Sequence, residues 1–111
     1  MSIIAKVEDT EIEFRCANSG NWNELILYCP SIKKVFYDAD NFLGSKKVLK
    51  YKISYKDDRL KIMQSELDKE YKEKIEKNID EPVVSLARDI RRTVLKSMSL
   101  KKDLEVVCFW R

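Results

Sequence analysis

Histidine is absent from the 111 residues. Its absence excludes His-based general acid–base catalysis, Ser–His and Cys–His nucleophile pairs, and most zinc and iron sites. Glycine is scarce, at positions 20 and 44 only. Two glycines so far apart cannot build a G-x-G-x-x-G turn or a Walker loop, so the usual backbone cradles for phosphate are excluded as well. Neither sign of charge dominates. The 22 basic and 19 acidic residues leave a net +3, short of the excess that marks a dedicated nucleic-acid binder. Long apolar runs are missing too. The first residues, MSIIAKVEDTEIEF, reach charged positions before a signal peptide's apolar segment or a membrane span could form. Cysteines stand at 16, 29 and 108, an odd number with no C-x-x-C. The expectation is a cytoplasmic protein with free thiols, no membrane association, no cofactor and no bound metal. All three cysteines lie in apolar stretches, as small buried hydrophobes do.

What is present is enough for a core. At this length one domain is expected, covering 1–111. With 44% hydrophobic residues, a fold that buries roughly two thirds of its unfolded surface needs no disulfide or metal staple. The first half reads as strands, over 1–56. Ile3, Ala5 and Val7 alternate with other residues, and so do Ile12, Phe14 and Cys16 with Glu11, Glu13 and Arg15. The two stretches are either a hairpin turning at Asp9-Thr10 or one long bent strand. WNELILYC reads as a strand stopped by Pro30, and IKKVFY as a shorter one. DADNFLGSKK, residues 38–47, is a loop. VLKYKISY alternates Leu49, Tyr51, Ile53 and Tyr55 against Lys50, Lys52 and Ser54.

The period changes at Asp57-Asp58, either of which can cap a helix. Leu60, Met63, Leu67, Tyr71, Ile75 and Ile79 step by three and four. Val83, Ala87, Ile90, Val94 and Met98 give a second stripe. Helices are therefore expected over 58–98, with a final strand over 104–110. Strands segregated from helices along the chain imply an α+β fold: a two-layer domain, a mainly antiparallel sheet of four to six strands, and two helices packed on one face.

Charge is uneven. Residues 1–27 hold 2 basic and 5 acidic groups, residues 28–56 hold 7 and 2, residues 57–81 hold 6 and 9, and residues 82–111 hold 7 and 3. Within the last block, Arg88, Arg92 and Lys96 recur every four residues with Arg91 beside them, opposite the apolar stripe. Guanidinium forks in a row suit carboxylates or phosphates, although any amphipathic helix puts polar residues there. Lys50 and Lys52 would emerge on the other side of the molecule, so no single phosphate track forms. A second candidate surface is apolar. WNELILYC places Trp22, Ile26 and Tyr28 on one side of a strand and Leu25, Leu27 and Cys29 on the other, and LEVVCFW is apolar on both sides as well. A sheet face carrying such residues is an interface unless something covers it. Asp38-x-Asp40-Asn41 resembles the start of a calcium loop but lacks the glycine and closing glutamate that loop needs.

These features imply a small non-catalytic protein that binds another protein with an acidic surface, as an inhibitor, immunity factor, adaptor or mobile-element accessory does. The partner-binding residues expected are Arg88, Arg91, Arg92, Lys96, Trp22, Ile26 and Tyr28. Apolar strand faces also suggest a C2 homodimer through a sheet face or edge. The alternative is a nucleic-acid-binding or regulatory module using the basic helix face, and an enzyme working through Asp, Lys, Tyr or Cys ranks third.

Overall fold

The computed structural model describes residues 1–15, 20–36 and 48–109. Strand β1 (Ser2–Val7) turns back into β2 (Thr10–Arg15), pairing Val7 with Thr10 and Ile3 with Phe14. The turn is therefore the two residues Glu8 and Asp9, one position earlier than Asp9-Thr10, and the single bent strand is ruled out. Glu8 takes a positive φ of 54° there, the backbone sign that two-residue hairpin turns require. Register sets Glu11 opposite Lys6, an attractive cross-strand pair.

The next segment corrects the sequence reading. Residues expected to be two strands form two helices, α1 (Gly20–Tyr28) and α2 (Pro30–Phe36). The buried side chains are Trp22, Leu25, Cys29, Ile32, Val35 and Phe36. Steps of three and four from 22 to 25, 29, 32 and 36 make one apolar stripe across both helices. Pro30 opens α2 at its first position, where the missing N–H costs no hydrogen bond. The side chain of Glu66 then takes up two donors of that first turn, the Ser31 backbone N–H at 3.2 Å and the Ser31 hydroxyl at 3.0 Å.

β3 (Val48–Ile53) follows, and then the two long helices, α3 (Asp58–Glu76) and α4 (Pro82–Leu100). Asp57 caps α3 by accepting the Arg59 N–H at 2.9 Å. Leu60, Met63, Leu67 and Tyr71 of α3, with Val83, Ala87, Ile90 and Val94 of α4, are buried as their spacing requires. α4 ends at Lys101, whose φ of 54° and ψ of 45° are left-handed. β4 (Leu104–Phe109) completes the sheet.

All pairings are antiparallel and the strand order is β2-β1-β4-β3. The last strand thus inserts between the first and third. Among the described residues the fold is α+β with four strands in one sheet and four helices, two more helices than expected. One sheet face carries Ile3, Ala5, Val7, Ile12, Phe14, Leu104, Val106 and Cys108, all buried. α4 packs on it over β1, β2 and β4, while α1 and α3 pack on α4. A single core therefore joins sheet and helices. No helix among the described residues is long and apolar enough to cross a membrane.

Candidate interaction surfaces

The basic row of α4 is only partly a free surface. Arg91 is about three-quarters buried, and its Nε donates to Asp68 of α3 at 2.6 Å. Lys96 donates to Asp9 in the hairpin turn at 2.6 Å and to the Thr10 hydroxyl, which holds the Asp9 carboxyl below the usual carboxylate range. Arg92 is the most exposed of the four, at 59% of its side chain, with Asp89 3.5 Å away. Arg88 is half-buried, and its Nε has no hydrogen-bond partner among the described residues. The row clasps α4 to α3 and to the hairpin as much as it faces solvent.

The second expected set is split by the helix. Trp22 is 1% exposed and stacks on Phe14 with ring centroids 5.6 Å apart. Ile26 is half-buried against the core. Tyr28 remains exposed beside Leu27, the most exposed large apolar residue at 72%. No two-sided strand exists here, so this segment contributes nothing to an apolar sheet face.

The sheet itself does. Among the described residues its second face carries no helix; its charged side chains are exposed, whereas Ile4, Val107 and Phe109 are half-buried and Ser2 is buried. Cross-strand register arranges that face in rows. One row runs Glu11, Lys6, Glu105, Lys52, alternating in sign, with a Lys52–Glu105 bridge of 3.7 Å. The next runs Glu13, Ile4, Val107, Lys50. The third runs Arg15, Ser2, Phe109, Val48. Ile4, Val107, Phe109 and the half-exposed Val48 therefore form an apolar patch bordered by charges. The sequence reading identified the β4 half of this patch through its two-sided strand, and Val107 and Phe109 do lie on the open side. Trp110 lies outside the described residues.

The flank next to β3 is basic. Lys50 and Lys52 stand on the strand, and a groove on its other side is lined by Lys34, Val35, Leu49, Tyr51, Ile53 and Arg59. The Tyr51 hydroxyl spans to α2 by donating to the Val35 carbonyl at 2.5 Å. Arg59 in turn is held by Asp57, Nη2 to Oδ2 at 2.6 Å.

The two thiols among the described residues are poor nucleophiles. Cys29 and Cys108 are free and buried. Burial, assisted by Glu66 and Glu70, pushes the Cys29 thiol up to about 12. Burial raises Cys108 too, and it lies 3.8 Å from the Phe36 carbonyl as a weak donor. Thiols shifted this way are not nucleophiles at neutral pH. Cys16, Asp38 and Asp40 lie outside the described residues. Comparison with protein-family models, with curated proteins and with solved structures found no match.

Proposed function

We propose that this protein works without catalysis, by binding another protein through the open face of its sheet. One observation carries the reading: among the described residues the antiparallel sheet has helices on a single face, and its other face presents Ile4, Val48 and Val107 beside the charged row Glu11, Lys6, Glu105, Lys52. Apolar centre and polar rim are the anatomy of a protein interface. The partner's surface is acidic where it meets Lys50 and Lys52. The basic row of α4 is a weaker candidate, because its cations are largely matched by Asp68, Asp89 and Asp9 within the chain. The same matching counts against a phosphate track.

Area bounds the size of the interface. Four strands about 4.8 Å apart and six residues long, at about 3.4 Å each, make a plate of roughly 400 Å². That is about half of what one partner contributes to a standard interface, roughly 800 Å². Binding through this face alone therefore falls at the small end of specific interfaces, where transient complexes lie.

A photo-crosslinking residue placed at Val107, at Leu27 or at Arg92 in turn tests the reading in the source cell. The expected result is a specific protein adduct from position 107, lost when Ile4 is changed to Glu with the fold intact by circular dichroism. Adducts confined to position 92, or submicromolar DNA or RNA binding that falls steeply with salt, would replace this reading with the basic helix face.

A further inference from the structure

Acidic side chains converge where α1 passes α3. Glu24 and Tyr28 stand one turn apart on α1, and Glu66 and Glu70 one turn apart on α3, so each pair shares a helix face. The two helices pack directly on one another. Ser31 fixes the α1–α2 corner against the middle of α3, its backbone N–H donating to Glu66 at 3.2 Å and its hydroxyl at 3.0 Å. Burial first, then the charges of Glu66 and Glu70, push up the Cys29 thiol. Burial first, then Glu24, Cys29, Glu70 and Tyr28, push up the Tyr71 phenol. One spot is therefore shared by these carboxylates, the Tyr28 ring and the Tyr71 hydroxyl.

The carboxylates lack cations. Among the described residues no ion pair reaches Glu24, Glu66 or Glu70. Lys74, one turn beyond Glu70 and in the favourable order to pair with it, goes instead to Glu81 at 3.6 Å.

At the same spot lies an unanswered hydrogen-bonding group. Tyr71 is 2% exposed, and its hydroxyl is buried with no hydrogen-bond partner. A phenol so placed has given up water and gained no partner, an arrangement that native folds keep rare. Its surroundings select what completes it. Beside Glu24 and Glu70, a positively charged N–H donor is drawn to the phenol oxygen and an anion is repelled. The Tyr28 ring adds a face on which a cation can rest. Glu24, Tyr28 and Glu70 are exposed, and exposed side chains change rotamer within nanoseconds, which admits such a donor.

Next to the acidic spot the surface is apolar. Leu27 is 72% exposed and Tyr28 48%, side by side in the last turn of α1. The patch lies within the described stretches 20–36 and 48–109 and not at their ends. The whole protein carries +3, so attraction of a cation here is a local property and not one of net charge.

We propose that the α1–α3 face docks a basic, partly apolar segment of a partner protein, whose cationic side chain lies between Glu24 and Glu70 and donates to the Tyr71 hydroxyl oxygen while its apolar neighbour covers Leu27 and Tyr28. The site uses helices where the reading above uses the open sheet face, and it calls for a basic partner where that face calls for an acidic one. It does not depend on that reading.

Fluorescence anisotropy of a labelled peptide of two Leu-Lys-Lys-Leu repeats, titrated with the protein at low salt, tests this. Saturable binding is expected, and it should be lost when glutamine replaces lysine in the peptide. Glu24→Gln/Glu70→Gln should weaken it about tenfold or more, whereas Glu11→Gln/Asp103→Asn, which removes the same charge elsewhere, should leave it unchanged. Tyr71→Phe should weaken it about threefold, yet melt no lower than the wild type, because it removes only an unsatisfied hydroxyl. Amide shifts of the wild type on adding peptide should centre on the end of α1 and the middle of α3, which keeps the test independent of how the variants fold. No saturation at millimolar protein overturns the proposal. So does a glutamine peptide that binds equally well, a Glu24→Gln/Glu70→Gln protein that binds like the control pair, a Tyr71→Phe protein that binds like the wild type, or shifts centred on other elements. Sedimentation of the protein alone above 13.1 kDa, reversed by Leu27→Glu, would assign the face to a second copy and overturn it too.

Discussion

Arg91 and Arg92 are neighbours in sequence with different surroundings. Arg91 is about three-quarters buried and bonded to Asp68 at 2.6 Å, whereas Arg92 is mostly in solvent and 3.5 Å from Asp89. A hydrogen bond to a charged group contributes about 1.5–3 kcal/mol, whereas an exposed surface change usually stays within about 0.5 kcal/mol. Arg91→Met is therefore expected to lower unfolding stability by about 1–2 kcal/mol, and Arg92→Met by no more than about 0.5 kcal/mol, as read from urea midpoints. Equal effects would mean that the α3–α4 clasp contributes nothing. The sequence showed the row but not its occupation. Spacing of four residues reports which side chains share a helix face. It carries no information on Asp68, 23 residues away, or Asp9, 87 residues away, because those partners are brought by tertiary packing.

At the scale of elements, periodicity was legible wherever it was long. The stripes of α3 and α4 continue for 19 residues each, alternation identified β1, β2 and β3, and β4 was legible as a short run apolar on both sides. The segment 20–36 was misread because its two helices have only nine and seven residues, and because Trp, Ile, Leu, Tyr, Val and Phe favour strands. Pro30 reads in sequence as the stop of a strand, and in the structure it starts a helix. The signal that distinguishes the two was present: the positions 22, 25, 29, 32 and 36 keep a helical step across the proline. Losing this strand removed Trp22 from the expected surface and put it in the core. Element ends also carry a testable cost. Lys101 holds the left-handed conformation at the end of α4, and the backbone N–H groups of Lys101 and Lys102 both return to the Ser97 carbonyl. Only glycine takes this conformation without a Cβ penalty. Lys101→Gly should therefore raise stability by about 0.5–1 kcal/mol, and Lys101→Val should lower it, because a β-branched residue is least tolerant there. A thermal melt that moves the same way for both changes would contradict the capping argument.

The lack of histidine becomes a property of the whole molecule through proton linkage. Cys29 and Tyr71 are raised chiefly by burial, and Cys108 is raised by burial against a Tyr51 hydrogen bond. Asp57 is lowered mainly by its Arg59 hydrogen bonds, and Asp9 by Lys96. For the raised thiol, both states are neutral below the unfolded value of 9.0, and above it the unfolded chain ionises first. Its stabilisation is thus whole below pH 9 and is lost as pH rises to about 12. For the lowered aspartates the sign reverses: their contribution is present above 3.8 and is lost as pH falls through their folded values. Between these limits no side chain has an ordinary titration, since the one that would is missing. Urea midpoints should therefore be flat from about pH 5.5 to 8 and fall on both sides. Cys29→Ala should lower the plateau by leaving a small cavity in the core, yet make the alkaline limb shallower, because one of the groups that ionise on unfolding is gone. A sloping profile at neutral pH would show a titrating group that these contacts do not contain. An alkaline limb of unchanged steepness in Cys29→Ala would remove the buried thiol as its cause and leave Tyr71 and Cys108 to be tested by Tyr71→Phe and Cys108→Ala.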